Sequence, residues 1–386
     1  MDICVINPFF YPYQGGTEKV LLEVYKRLAK RHNISVISAQ PSGEKKTEIQ
    51  HIHGIKVIRL STRYMSLPMT PLPFMWMSGV QEHIRREGAD VYHINNRYLY
   101  FGRTILAIKG IRKKLVLTIH NSLPKNIDFP TDLSGWLYDK AWSRRIMGLA
   151  DAITAVSKDA LDATVPKRYH PKSSVIYNGV DAKLYRPHSK SHPRVRKVLK
   201  KLGNPDILIT NNGRLVPQKG QQYLIQAVSE LKKEVQFEKR KVHLLLIGRG
   251  PMQEQLQDQA DALGINFDVI SGIPERELPY YYNASDIFVM PSLYEPAGAA
   301  LMEAMACETP CIATRIGGMP EYLKNAGCYV RDRSPLDITE KIITAINDKR
   351  ESAAMAQRGR KLMLKNHDWD KIAKQYEHVF TGLARR

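Results

Sequence analysis

Residues 287–306, IFVMPSLYEPAGAALMEAMA, decide the fold. The run IFVMPS has consecutive apolar residues, which is typical of a strand buried on both faces of a parallel sheet. The run ALMEAMA consists of strong helix formers, so SLYEPAG is predicted to be the turn from the strand into the helix. A strand that leads through a short turn into a helix is the repeating unit of an α/β protein.

The same alternation continues in both directions along the chain. The predicted strands are ICVIN, ISVIS, IKVIRL, DVYHI, KLVLTIH, AITAVS and SVIYN in the first half, and DILITNNGR, HLLLIGRG, FDVISG, IFVMPS, PCIATR and GCYV in the second. Strands that alternate with helices predict a doubly wound α/β sheet in each half. Two such sheets are expected to face each other across a cleft at the carboxyl ends of their strands.

The length of 386 residues suits two domains better than one, because a single core seldom grows past about 250–300 residues. We predict Rossmann-like domains over 1–190 and 206–366. The segment between them, 191–205, is predicted to be a linker because it is basic, contains prolines and has few apolar residues. The last helix, 367–386, can pack on either domain, including back on the N-terminal one.

The net charge of +20 is concentrated in the first half, where residues 1–190 contain 29 Lys and Arg but 15 Asp and Glu. Such an excess implies an anionic neighbour: nucleic acid, a phosphorylated ligand or an anionic membrane surface. No RNA-binding motif supports nucleic acid. With four cysteines, no apolar run of about 20 residues and no signal peptide, we expect a reduced, cytoplasmic protein.

The turn NNGRLVPQKG, residues 211–220, places Arg214 and Lys219 between a predicted strand and helix. For this fragment alone, two solvated surface cations are the favoured interpretation. The alternative is a pair of cations at the carboxyl edge of the sheet that binds a diphosphate.

The turn SLYEPAG leads to a helix start at Gly298, Ala299 and Ala300, whose free amides and small side chains suit a phosphate. Glu295 precedes these amides and Glu303 follows them by about one turn. The two carboxylates can accept hydrogen bonds from sugar hydroxyls on either side of the phosphate. The alternative is two acids that the helix dipole favours at a helix start.

Other strand-to-helix turns are also rich in glycine. Gly15 and Gly16 precede the first helix, and IGGMPEYL, residues 316–323, has a glycine pair before a helix start. The turn with Gly248 and Gly250 lacks the third glycine of G-x-G-x-x-G, so a dinucleotide fingerprint is not supported.

Eight motifs, in their order along the chain, resemble those of glycosyltransferase family 4. They are GG near residue 15, TIH at 118–120, AVS at 155–157, IYNGVD at 176–181, NGRLVPQKG, IGRGP, EPAGAALMEAMA and GGMPE. These are retaining nucleotide-sugar enzymes with the two-domain GT-B fold. The resemblance spans nearly the whole chain. It implies the catalytic residues His120, Arg214, Lys219 and Glu295, and the donor-binding residues Gly15, Gly16, Gly248, Gly250, Ile273, Gly298, Ala299, Ala300 and Glu303.

The resemblance also implies roles. Arg214 and Lys219 would hold the donor diphosphate, Glu295 would contact the transferred sugar and Glu303 the ribose. His120, by itself a residue we would interpret as structural, would lie beside the donor sugar. Two positions depart from the family pattern: Ala297 replaces a common phenylalanine, which leaves the sugar undetermined, and Glu308 replaces a glycine outside the expected site.

The predicted activity is the retaining transfer of a hexose-type sugar from a nucleoside diphosphate sugar to an acceptor hydroxyl. Two cations and a helix terminus stabilise the leaving diphosphate, so neither a metal nor a cofactor is expected. Asp368 and Asp370 are predicted to cap the last helix, and Cys307, Cys311 and Cys328 to lie in the core rather than bind zinc.

The segment 61–86, STRYMSLPMTPLPFMWMSGVQEHIRR, has two interpretations. The favoured one is an irregular loop that packs on the N-terminal core. The other is a peripheral contact with the cytoplasmic face of a membrane through Arg63, Phe74 and Trp76, with a lipid-linked acceptor. The competing functions are a nucleotide-sugar epimerase with the same fold and a basic, non-catalytic protein that binds a membrane surface.

Overall fold

The computed structural model describes residues 1–13, 15–40, 46–65, 74–96, 101–121 and 143–385, without the side chains of Met65, Phe74, Met75 and Phe101. The chain divides into two compact units. Unit 1 comprises Met1–Asn178 and Trp369–Arg386, and unit 2 comprises Gly179–Asp368.

The strands of unit 1 are β1 (Asp2–Ile6), β2 (Asn33–Ala39), β3 (Glu48–Ile52), β4 (Ile55–Leu60), β5 (Thr62–Met65), β6 (Phe74–Met77), β7 (Val91–Asn95), β8 (Lys114–Ile119), β9 (Ala152–Ala155) and β10 (Ser173–Val175). Eight of them form one sheet in the order β10-β9-β8-β7-β1-β2-β4-β3. Neighbouring strands are parallel except β3, which is antiparallel to β4, while β5 and β6 form a separate hairpin.

The helices in the first part of unit 1 are α1 (Gly16–Leu28), α2 (Val80–Glu87), α3 (Phe101–Gly110), α4 (Arg144–Leu149) and α5 (Lys158–Thr164). In α1 the predicted apolar stripe Val20, Leu21, Val24 and Leu28 is buried. It packs in a core cluster with residues of β1, β2 and β4.

Unit 2 has the strands β11 (Ile207–Asn212), β12 (Val242–Ile247), β13 (Asn266–Ile270), β14 (Ile287–Met290), β15 (Cys311–Thr314) and β16 (Cys328–Val330). They form a parallel sheet in the order β13-β12-β11-β14-β15-β16. Its helices are α6 (Pro193–Lys201), α7 (Gln221–Lys233), α8 (Gln253–Ala262), α9 (Leu278–Ala284), α10 (Ala299–Ala306), α11 (Met319–Leu323), α12 (Pro335–Asn347) and α13 (Lys349–Asn366). The predicted doubly wound, Rossmann-like sheets are therefore confirmed in both units.

The predicted linker over 191–205 is wrong for most of its length. Residues Pro193–Lys201 form α6, and its buried residues Val195 and Val198 pack with Leu245 of β12. The apolar residues of α6 are few, but they recur at helical spacing and face the sheet. The cations between them are exposed and gave the segment the composition of a linker. The boundary between the units accordingly lies at residues 178 and 179.

The last helix, α14 (Trp369–Ala384), belongs to unit 1. Its residues Trp369, Tyr376 and Phe380 are buried in the same core cluster as α1. Asp370 forms an ion pair with Arg27 of α1 at 2.5 Å. The chain therefore leaves unit 1 after Asn178 and returns to it at Trp369.

All thirteen predicted strands are confirmed, whereas β3, β5 and β6 were not predicted. The strand β3 is mostly exposed and polar, so it lacks the apolar run that identified the others. The described part of 61–86 is not an irregular loop: it contains β5, β6 and α2, whose Ile84 is buried. None of the helices in the described ranges is long and apolar enough to cross a membrane.

Candidate functional site

The loops after β11 and β14 start from neighbouring strands of unit 2. The two strands are parallel and pair at Thr210 and Phe288. From β11 the sheet continues to β12 and β13, whereas from β14 it continues in the opposite direction to β15 and β16. The strand order therefore reverses between β11 and β14, and ligands of doubly wound sheets bind at such a switch point.

An ion pair joins these two loops. The ammonium group of Lys219, in the turn Pro217–Lys219, contacts Oε2 of Glu295. Oε1 of Glu295 accepts a hydrogen bond of 3.2 Å from the backbone N–H of Gly298. Both side chains are largely shielded, with exposed fractions of 19% for Lys219 and 10% for Glu295. The structure thus brings together two predicted catalytic residues that are 76 positions apart in the chain.

The loop after β15 fixes the backbone of Glu295. The N–H of Gly318 donates to the carbonyl oxygen of Glu295 at 3.1 Å. Gly317 has a φ of 52°, and a Cβ there would lie 2.5 Å from the same oxygen. A side chain at this position would therefore both strain the backbone and displace Glu295.

Helix α10 starts where the sequence predicts. Gly298 is its N-cap with a φ of 53°, and Ala299 and Ala300 begin the first turn. The first intrahelical bond runs from the N–H of Met302 to the carbonyl of Gly298 at 3.1 Å. The preceding amides have no intrahelical partner, so together with the helix dipole they favour an anion.

Arg214 is exposed on the same loop as Lys219. Its carbonyl oxygen accepts a hydrogen bond of 3.0 Å from Nε2 of Gln221, which ties the loop to α7. The guanidinium forms no ion pair with any residue that the structure describes. This cation can therefore offer its planar fork to phosphate oxygens.

Glu303 is buried in α10 and is held by two residues that the sequence analysis did not single out. The hydroxyl of Tyr282 donates to Oε2 of Glu303 at 2.8 Å, and Nδ2 of Asn212 donates to that hydroxyl at 2.7 Å. The sequence contains only a weak signal for them, since Asn212 ends a strand and Tyr282 belongs to an ordinary amphipathic helix.

Gly248 and Gly250 have a packing role. A Cβ at Gly248 would lie 1.9 Å from the carbonyl oxygen of Gly213, and one at Gly250 would lie 2.2 Å from that of Leu215. These glycines allow the loops after β11 and β12 to approach closely. Ile273 packs beside the cluster that contains Leu245. Donor binding by these three residues stays a prediction.

In unit 1, Gly15 and Gly16 lie at the start of α1, as predicted. A Cβ at Gly15 would overlap Oε2 of Glu18, whereas a Cβ at Gly16 would meet no atom within 4 Å. The carboxyl of Glu18 is buried, and burial raises its pKa, although a hydrogen bond with Asn7 opposes the effect. Glu18 is a third residue of interest that the sequence analysis missed.

His120 follows β8 in unit 1 and is almost completely buried. Its backbone N–H donates to Oδ1 of Asn96 at 3.0 Å, and its Nε2 lies 2.8 Å from Oδ1 of Asn95. Because an amide oxygen accepts, Nε2 carries the proton. Burial lowers the pKa of His120 to about 3, so the ring is neutral at neutral pH.

We expect unit 1 to lose stability in mild acid because of this burial. Burial also lowers the pKa of His93 in β7 to about 3. Between the ordinary value of 6.5 and about 3, the unfolded chain takes up protons that the folded chain does not. The contribution of these histidines to the free energy of unfolding is therefore fully present above pH 6.5. Below that pH each histidine lowers the free energy of unfolding by about 1.4 kcal/mol for every pH unit.

Urea unfolding followed by tryptophan fluorescence tests this expectation, since all four tryptophans of the chain fall within the sequence ranges of unit 1. His120→Asn removes one of the two buried histidines, so the decline between pH ~7.5 and pH ~5.5 is expected to be about half as steep. An unchanged decline in the variant would contradict a neutral His120.

The sequence analysis also singled out Arg63, Phe74 and Trp76 for a membrane contact and three cysteines as core residues. Arg63 in β5 is exposed, Trp76 in β6 is 55% exposed and has the guanidinium of Arg103 over its ring, and the side chain of Phe74 lies outside the described part. Of the cysteines, Cys307 and Cys311 are buried and Cys328 is partly buried. No cluster of three or more His, Cys, Asp or Glu that could hold a metal occurs among the described residues.

Glu308, which replaces a glycine of the family pattern, follows the end of α10 with a φ of 58°. A left-handed residue at a helix end is usually glycine, which explains the pattern. The carboxylate of Glu308 lies 3.7 Å from Nε of Arg360. This departure from the family pattern therefore affects the end of α10 and not the contacts around Glu295.

The doubly wound sheets of the two units fit a class of protein, the glycosyltransferases with the GT-B fold. Family models match both parts of the chain: "Glycosyltransferase Family 4" over residues 14–184 and "Glycosyl transferases group 1" over residues 194–362. The chain belongs to glycosyltransferase family 4.

Curated relatives match along nearly the whole chain. A GDP-mannose-dependent alpha-(1-6)-phosphatidylinositol monomannoside mannosyltransferase of Mycolicibacterium smegmatis is 28% identical, with 97% of this chain and 96% of that protein covered. An N-acetyl-alpha-D-glucosaminyl L-malate synthase of Bacillus anthracis is 27% identical with the same coverage.

Solved structures show the same fold. A glycosyltransferase of Rickettsia africae superposes with a TM-score of 0.76 at 19% identity over 100% of this chain and 99% of that one. HepE of Anabaena in complex with UDP-glucose has a TM-score of 0.76 at 22% identity, covering 99% of this chain and 100% of that one.

Proposed function

We propose that the chain is a retaining hexosyltransferase that moves a sugar from a nucleoside diphosphate sugar to an acceptor hydroxyl. The observation that carries the proposal is the contact of Lys219 with Glu295 beside the first turn of α10. It combines a cation, a carboxylate and helix amides without intrahelical partners at a switch point. A sugar diphosphate offers matching groups, namely phosphate oxygens and hydroxyls.

The charges of the reaction explain this combination. When the bond between the anomeric carbon and the phosphate oxygen breaks, positive charge grows on the sugar and negative charge on the diphosphate. Lys219, Arg214 and the amides of α10 stabilise the diphosphate as it leaves. Because these donors are already in place, they act most strongly in the transition state. The protein itself supplies the positive charge, so the proposal includes neither a metal nor a cofactor.

The carboxylate of Glu295 accepts hydrogen bonds from hydroxyls of the transferred sugar, and Glu303 accepts from the ribose. In the donor-free chain Glu295 is occupied by Lys219. A bound diphosphate attracts the ammonium group of Lys219 and leaves the carboxylate for the sugar. The role of His120 beside the donor sugar stays a prediction; its neutral ring would add no positive charge where the sugar becomes cationic.

The donor and acceptor classes are inferred from relatives. One relative is named for GDP-mannose and phosphatidylinositol monomannoside, and one structural neighbour binds UDP-glucose. We therefore propose a hexose nucleotide as donor and a lipid-linked or membrane-surface glycan as acceptor, with the protein at the cytoplasmic membrane face. Residues 1–190 contain 29 basic but only 15 acidic residues, and this excess of positive charge supports an anionic surface nearby. A contact through Arg63 and Trp76 stays a prediction.

Thermal stabilisation by UDP, GDP and ADP tests the proposal and identifies the base. A ligand at about a hundred times its Kd stabilises a protein by about 2.7 kcal/mol, so one of the three is expected to raise the Tm clearly. Arg214→Ala is expected to weaken that binding at least about tenfold with an unchanged fold, because it removes charge-assisted hydrogen bonds to the phosphate oxygens.

The matching nucleotide sugar then serves as donor in a transfer assay, with the anomeric configuration of the product read by NMR. No stabilisation by any of the three nucleotides would contradict the proposal. Return of an isomerised donor without acceptor would indicate an epimerase instead.

A further inference from the structure

A chain of two hydrogen bonds leads from β11 to the carboxylate of Glu303. Nδ2 of Asn212, the last residue of β11, lies 2.7 Å from the hydroxyl oxygen of Tyr282 in α9. That hydroxyl lies 2.8 Å from Oε2 of Glu303 in α10. Three separate elements of unit 2 thus contribute one side chain each.

The direction of the chain is determined by its ends. A carboxylate only accepts, so the single proton of the Tyr282 hydroxyl is donated to Glu303. The hydroxyl oxygen is then left as an acceptor, and the amide NH₂ of Asn212 donates to it. Each bond polarises the next, because the donor to a hydroxyl makes that hydroxyl a better donor to an anion.

Tyr282 itself has little freedom to move. It is 1% exposed, and its ring packs edge to face with those of Phe288 and Tyr185. The hydroxyl of Thr309 donates to the Tyr282 carbonyl at 2.8 Å, which fixes the backbone of α9 at this residue. Burial and the neighbouring charge of Glu303 both raise the pKa of Tyr282, so its hydroxyl keeps the proton that it donates.

We propose that Tyr282, oriented by Asn212, is a positioning residue that holds the Glu303 carboxylate in the rotamer that accepts the ribose hydroxyls of the donor. The inference rests on the proposed function, in which Glu303 binds the ribose. It adds a cause for the orientation of that carboxylate, which is one turn inside a helix and has several rotatable bonds. An acceptor that is fixed before binding loses less conformational entropy when the ribose arrives.

The test compares two ligands and four proteins by calorimetry. The ligands are the nucleoside diphosphate that stabilises the protein and its 2′,3′-dideoxy analogue, which lacks the hydroxyls that Glu303 accepts from. The proteins are the wild type, Tyr282→Phe, Glu303→Gln and the control Tyr281→Phe. The control removes a hydroxyl from the adjacent, partly buried tyrosine of the same helix.

The wild type and Tyr281→Phe are expected to prefer the ribose form by about tenfold or more, since a polar site rejects a ligand that lacks its partner group. In Tyr282→Phe the preference for the ribose form over the dideoxy form is expected to fall to nearly that of Glu303→Gln. The fall is expected because only the ribose form binds more weakly. A purely structural role would weaken both ligands equally, because the dideoxy analogue shares every other contact.

Three outcomes separate the hypotheses. An unchanged ribose preference in Tyr282→Phe, or an equal loss for both ligands, would overturn the positioning role. If the wild type binds no nucleoside diphosphate, the proposed function fails and the inference with it. Should Tyr282→Phe not fold, Asn212→Ala tests the same chain from its other end. It is expected to reduce the ribose preference in the same way, and an intact preference would overturn the inference.

Discussion

Lys219→Ala is expected to reduce kcat/KM for the nucleotide sugar by about a hundredfold to a thousandfold, the loss seen when one preorganised donor to a developing anion is removed. Lys219 is one of two cations on the switch-point loop, and unlike Arg214 it is largely shielded from water. Its charge therefore acts on the leaving diphosphate with little screening. Steady-state kinetics with the identified donor measures the effect.

Lys233→Ala is the matched control. Lys233 also pairs with a glutamate, Glu230 at 2.7 Å, but both side chains are exposed on the surface of α7. We expect an unchanged kcat/KM, because an exposed ion pair contributes about 0–1 kcal/mol to stability and none to the site. If the contact between Lys219 and Glu295 were only structural, the double variant Lys219→Ala with Glu295→Gln would restore stability, and Lys219→Ala alone would retain activity.

Phe380→Ala is expected to destabilise unit 1 by about 3–5 kcal/mol, the usual cost of truncating a buried phenylalanine. Phe380 belongs to α14 and is fully buried among residues of α1 and the sheet of unit 1. Its ring lies 5.4 Å from that of His93 and 6.1 Å from that of Tyr376. The large effect follows because a helix at the very end of the chain completes the core of the first unit.

Tryptophan fluorescence during urea unfolding measures this loss, since residues 179–368 contain no tryptophan. Gln375→Ala, at an exposed position of the same helix, is the control and is expected to change the midpoint little. Phe380→Ala is expected to retain nucleotide binding, which we assign to unit 2. A midpoint equal to that of the wild type would contradict the assignment of α14 to the core of unit 1.

Local patterns in the sequence were sufficient for most of the fold. Most of the thirteen predicted strands are buried apolar runs, and in β12 and β14 all residues are buried. The strands β10 and β13 at the edges of the two sheets are exposed or half-buried, but their apolar residues still identified them. The prediction of secondary structure failed where a helix packs on the sheet through only a few apolar residues. In α6 it is Val195 and Val198 that attach the helix to the sheet, and the surrounding cations concealed this pattern.

The candidate site was predictable in part. Lys219, Glu295, Gly298 and Glu303 were singled out because strand-to-helix turns carry ligands in α/β sheets. Their mutual contacts were not predictable. The sequence contains no sign that Lys219 pairs with Glu295 or that Gly317 packs on the Glu295 carbonyl. Tyr282 was missed because a tyrosine in an amphipathic helix cannot be told from an ordinary core residue by sequence.

The sequence by itself determined the strands and helices, their alternation and the turns that hold polar residues, because these depend on the periodicity and propensity of neighbouring residues. Only the tertiary structure decided which turns meet, where the units divide and what orients each carboxylate. Those features depend on contacts between residues far apart in the chain, such as Asn212 with Tyr282 or α1 with α14. The order of strands in the sheet brings such residues together, and local sequence does not encode that order.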